Sequence, residues 1–113
     1  MAIANAIIAT SDTVILTVPA DTSYAITTIM VCNTHIPNPL HEEDGLATFD
    51  LHICKSGQAI GDQNMVVNNL VLPAGETFTF DTEKIVIDAG DYVAIDSTSP
   101  LNTLTATISY LEV

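Results

Sequence analysis

Two of the three histidines in this 113-residue chain, His35 and His41, fall with Glu42, Glu43 and Asp44 in one irregular stretch running from Thr34 to Gly45. Such residues could hold a divalent cation, since carboxylates suit calcium or magnesium and imidazoles suit zinc or nickel. Their spacing fits no established cage. Calcium loops alternate their acids so that successive ligands point inward, whereas three adjacent acids diverge. The stretch therefore reads as a solvated, charged loop at one end of the fold, and neither a metal site nor a cofactor is expected. It is also the one place where a lectin-like module could bind a ligand. Sugars, however, are held by stacking on Trp or Tyr; the chain has no Trp, and Tyr24, Tyr92 and Tyr110 all lie outside the loop.

The remaining candidates for chemistry are weaker. His52 sits beside Asp50 in an alternating run, which predicts a surface residue and not a general base. There is no Gly-x-Ser-x-Gly elbow, and the glycines stand singly, so no phosphate-binding loop is present. Asp88 and Asp91 bracket Ala89-Gly90; paired carboxylates can do acid–base work, but Asp at such a site is more simply a turn residue bonding its own backbone. Cys32 and Cys54 show neither Cys-x-x-Cys nor a ligand spacing, and are expected as free thiols. These absences together predict a protein that is not an enzyme.

The elements that would carry these residues are strands. Apolar runs rich in Val, Ile and Thr recur at short intervals between Pro and Gly turn signals, and no helical periodicity interrupts them. Strands are expected near 3–9, 13–18, 24–33, 46–55, 65–71, 76–80, 84–88, 92–97 and 104–111. Eight or nine short strands suit an all-β, antiparallel β-sandwich of jelly-roll-like form, built as a single domain over residues 1–113. Aromatics make up only 5% of the chain, so the core must be aliphatic. The turns Val18-Pro19-Ala20-Asp21 and Leu72-Pro73-Ala74-Gly75 should each place Pro at the first corner.

One strand breaks the one-sided pattern. In the run from Tyr24 to Asn33, Ile29 and Val31 on one face are matched by Ile26, Met30 and Cys32 on the other. A sandwich strand has one core face, so the spare apolar face should meet another surface. Ile26, Met30 and Cys32 are thus expected to form an interface, helped by Ile3, Ile7 and Ile8 of an N-terminal strand that could add to a neighbour's sheet. A homo-oligomer is expected.

Charge limits the partners. Fourteen acids face Lys55 and Lys84 alone, a formal net charge of −12. Phosphate backbones are bound by clustered Lys and Arg, which two lysines so far apart cannot supply, so no nucleic acid is expected. An anionic membrane would repel the chain likewise. No run approaches the ~20 apolar residues of a membrane-crossing helix, and no basic residue precedes the apolar start as in a secretory signal. A soluble protein is expected.

Several short pieces occur in a suggestive order: Val18-Pro19-Ala20, then Ile29-Met30-Val31-Cys32-Asn33, then Leu72-Pro73-Ala74-Gly75-Glu76-Thr77, then Gly90-Asp91, and finally Ile108-Ser109-Tyr110-Leu111-Glu112. From about residue 14 onward the chain resembles a family of small phage virion structural proteins. The loop 34–45 departs from that pattern, because the relatives carry small polar residues there. The resemblance implies a β-sandwich subunit without catalytic residues, located in the virion after assembly in the host cytoplasm. Its implied role is capsid decoration, cementing the head by binding the major capsid protein or other virion proteins. A tail, neck or fibre subunit is the alternative within that family.

Overall fold

The computed structural model describes residues 2–9, 12–41, 45–80, 85–97 and 103–113. Among the described residues nine strands form: β1 (Ala2–Ile7), β2 (Thr13–Thr17), β3 (Tyr24–Asn33), β4 (Ala47–Cys54), β5 (Met65–Leu72), β6 (Thr77–Phe80), β7 (Ile85–Ile87), β8 (Tyr92–Ser97) and β9 (Leu104–Glu112). Each lies within two residues of a span expected from the sequence. Lys84, the expected first residue of the seventh strand, lies outside the described residues. One element was not foreseen, a single 3-10 turn at Asp62–Asn64.

The pairings are nested: β1 with β9, β2 with β8, β3 with both β6 and β7, and β4 with β5, all antiparallel. A long hairpin rolled up on itself gives this arrangement, and the rolling adds two further pairs, β3 with β9 and β4 with β8. Sheet A has the order β1-β9-β3-β6, with β7 also on β3, and sheet B has the order β2-β8-β4-β5. This is an antiparallel β-sandwich of jelly-roll form, as the strand pattern predicts.

Alternation puts one face of each sheet inward. Ile29, Val31, Ala106 and Ile108 of sheet A meet Phe49, Leu51, Val93 and Ile95 of sheet B, all but completely buried. Phe49 is the one large aromatic among the fully buried side chains, and it packs edge-on against Phe78 with centroids 5.5 Å apart. The aliphatic core inferred from composition is therefore what forms.

The turns obey a rule slightly different from the expected one. The Glu76 N–H donates to the Pro73 carbonyl and the Asp91 N–H to Asp88, which puts Ala74-Gly75 and Ala89-Gly90 at the corners. Pro73 thus precedes the turn by one position. The second corner needs a positive φ, which Gly75 takes at 78° and Gly90 at 85°. Asp91 makes the turn contacts that the sequence suggests: its carboxylate accepts from the Asp88 and Ser56 N–H groups.

Candidate functional site: the outer face of sheet A

Strand β3 is central in sheet A, so its spare face determines what that sheet presents outward. The alternation is interrupted once. Ile26 pairs with Tyr110 and Thr28 with Ser109, leaving Thr27 as an extra residue whose hydroxyl donates to the Ser109 carbonyl at 3.0 Å. This bulge shifts the phase of the strand. Ile26 consequently points into the core, 2% exposed, and is not the interface residue that unbroken alternation predicts. Ile8 is a second correction. It follows the end of β1, its N–H donates to the Leu104 carbonyl, and its side chain is fully buried.

Met30 and Cys32 do face outward, as do Ile3 and Ile7 of β1, and the sheet brings the four together. Residues directly opposite in antiparallel strands share a face, so the register defines rows across it. One row runs Asn5, Thr107, Met30, Thr79. The next runs Ile7, Thr105, Cys32, Thr77, and on the other side lie Ile3, Ser109 and Thr28. Beyond the bulge, Leu111 and Val86 continue the face, with Ala25 buried between them. Ile3 and Ile7 are about two-thirds exposed, Val86 over half and Met30 37%, so no described segment of the chain crosses over them.

None of these residues is charged, in a chain of net charge −12. The outer face of sheet B is the opposite case. Asp50 of β4 stands directly across from Asp96 of β8. Asp96 is half-buried, and burial, then the Asp50 and Asp12 charges, push its carboxyl above the ordinary value, with His52 opposing. One Asp96 oxygen, Oδ1, is buried without a hydrogen-bond partner.

His52 is a further correction, being 3% exposed and not on the surface. The segment after β4 folds back over this end of sheet B. Asn64 Nδ2 donates to the Ala59 carbonyl at 2.9 Å, and its Oδ1 accepts from the Gly61 N–H and, at 2.8 Å, from His52 Nδ1. Those bonds fix the imidazole tautomer, with the proton on Nδ1. On the same covered face Cys54 is buried, its thiol pushed up by that burial, and the Tyr92 hydroxyl donates to the Gln58 carbonyl. Cys32 and Cys54 are both free thiols.

At the loop 34–45, Glu42, Glu43 and Asp44 lie outside the described residues. His35 is half-buried, its Nδ1–H directed at the Ile36 carbonyl 3.0 Å away, and His41 is exposed. Among the described residues, no three His, Cys, Asp or Glu side chains are grouped closely enough to hold a metal ion. Sequence reasoning missed the residue that organises this loop, Asn33. Fully buried at the end of β3, its side chain donates to the carbonyls of Gly45 (2.6 Å) and Leu72 (2.9 Å) and accepts from the His35 N–H. The loop is thereby tied to the Pro73–Glu76 turn, and between them lies an open groove of about 510 Å³ lined chiefly by Pro37, Pro39, Leu46 and Pro73. The available signal was a polar residue closing a long apolar strand.

In comparisons with known proteins, no family model, no curated protein and no solved structure matches the chain.

Proposed function

We propose that this protein is a non-enzymatic adhesion subunit, a β-sandwich that works by laying one sheet face on a larger protein surface. More specifically, it is a phage virion structural protein, a capsid decoration subunit that binds the major capsid protein from outside and cements the head. The observation that supports adhesion best is the uncharged outer face of sheet A, with Met30 and Cys32 at its centre. A strongly acidic chain in which none of the described acids lies on one broad sheet face has a surface fitted for desolvation. The specific reading rests on the ordered resemblance of residues 14–113 to small phage virion proteins. The charge fits this reading: an acidic outer surface does not compete for packaged nucleic acid and keeps particles apart by repulsion.

Met30→Asp is the direct test. A buried, unpaired carboxylate at the centre of a contact is strongly unfavourable, while on the free subunit that side chain is already partly solvated. Particles grown with the wild-type chain should carry it in stoichiometric amounts by mass spectrometry. Met30→Asp should leave the circular dichroism unchanged and be missing from the particles. Wild-type protein missing from purified particles, or full occupancy by the variant, would overturn the proposal. Cryo-electron microscopy of the same particles separates head from tail placement.

A further inference from the structure

A sheet edge presents a row of unpaired N–H and C=O groups, and natural proteins guard such edges with charge, bulges, Pro or short length. Three of the four edges here are guarded. On sheet B, β2 carries a bulge between Val14 and Leu16, and β5 is distorted by bulges and by Asn69 at φ 48°. The far side of sheet A is divided between a four-residue and a three-residue strand, β6 and β7. Strand β1 has none of these protections. It pairs regularly with β9 over six residues, has no other strand partner among the described residues, and contains no charge and no Pro.

The sequence of that strand identifies its partner. Residues 3–7 read Ile-Ala-Asn-Ala-Ile, a palindrome centred on Asn5. When two antiparallel copies meet about a two-fold axis through Asn5, residue i of one faces residue 10 − i of the other. Ile3 then faces Ile7, Ala4 faces Ala6, and Asn5 faces Asn5. Because opposite residues share a face, the exposed isoleucines cover one another on the outside while Ala4 and Ala6, which lie toward the core, meet on the inside. The two Asn5 amides sit on the axis, where one can donate to the carbonyl of the other.

We propose that two copies of this chain pair edge to edge through β1 about this axis, joining their A sheets into one. A second copy is favoured over an unrelated strand because the edge is complementary to itself at every position from 3 to 7. It is also a part of the surface where two chains of net charge −12 can meet without opposing acids. Strand pairing alone buries less than the roughly 1,200 Å² of a stable interface, so the dimer is weak in free solution. It also makes the two uncharged faces continuous, an extension that adds to the proposed adhesion but does not depend on it.

Cysteine cross-linking reads the register. In a Cys32→Ser background, with Cys54 buried, Asn5→Cys places two thiols directly opposite each other, with Cα atoms about 4.5–5.5 Å apart, within reach of a disulfide. Ile3→Cys alone places them four residues apart along the strand, about 13 Å, which is out of reach. Under mild oxidation at several hundred micromolar, Asn5→Cys should cross-link at least tenfold faster than Ile3→Cys, and an equimolar mixture of Ile3→Cys and Ile7→Cys should give the heterodimer. Asn5→Lys, which reduces the magnitude of the negative net charge but sets two ammonium groups on the axis, should sediment as a monomer where the wild type shows dimer. Equal cross-linking rates for Asn5→Cys and Ile3→Cys, or a wild-type chain that sediments only as monomer at that concentration, would overturn the pairing.

Discussion

Single residues in this fold differ sharply in whether their polarity is satisfied. Asn33 is fully buried and both ends of its amide are used, so Asn33→Ala would strand two carbonyls and one N–H away from water. An expected loss of about 2–4 kcal/mol follows from leaving several buried groups unmatched, measurable as a lower urea midpoint at unchanged slope. Asp96 is the opposite case, a carboxyl whose surroundings disfavour its charge. Its folded-state pKa is raised above the unfolded value near 3.8, so over the interval between them the unfolded chain holds fewer protons than the folded one. Stability from this site is intact below that interval and is lost as pH rises through the raised value. Asp96→Asn removes the repulsion and lets an amide donate to Asp50. The variant should be more stable than wild type by about 0.5–1 kcal/mol at pH 7, the scale of a like-charge cross-strand pair, with the gap closing near pH 3.5. Denaturant titrations at the two pH values measure it; an equal gap at both would remove the electrostatic explanation.

At the scale of elements, turns set the geometry that the strands then propagate. Gly75 has φ 78°, and a Cβ there would lie 2.6 Å from the Pro37 ring, so Gly75→Ala combines backbone strain with a collision across the loop groove. It should cost about 1–3 kcal/mol and lower the melting temperature, whereas the same change at Gly57, also at positive φ but with open space around it, should cost less. The strands themselves were largely legible, because alternation over β4 and β9 and the Pro and Gly punctuation between runs are local signals. What local periodicity could not reveal was a phase change. The Thr27 bulge depends on pairing with β9, more than eighty residues away, and it alone sends Ile26 inward while Met30 and Cys32 stay outside. His52 was misjudged for a related reason: alternation assigns it correctly to the outer face of sheet B, but not the segment 55–64 that covers that face. Of the six residues expected at an interface, Ile3, Ile7, Met30 and Cys32 share a face; Ile26 lies on the far side of the bulge from Met30 and Cys32, and Ile8, next to the outward Ile7, falls to the opposite side.

At the scale of the whole molecule, charge is sorted by surface. The described acids occupy turns and connections, the outer face of sheet B and, at Glu112, the end of β9 opposite Tyr24; none of them sits in the rows on the outer face of sheet A, so the described surface has one side that repels its own kind and one that does not. Opposite salt responses follow for the two kinds of association open to it. Pairing through the uncharged β1 edge gains nothing from Coulomb attraction, yet brings together two bodies each of net charge −12. At 20 mM salt that repulsion reaches across the dimer, whereas at 500 mM the screening length falls to a few ångströms and little of it remains. The β1 dimer should therefore tighten as salt rises, by several-fold between those conditions in sedimentation equilibrium. A contact held by ion pairs between copies would weaken over the same range, so a dimer that dissociates on adding salt would show that charge, and not the Ile-Ala-Asn-Ala-Ile edge, holds it together.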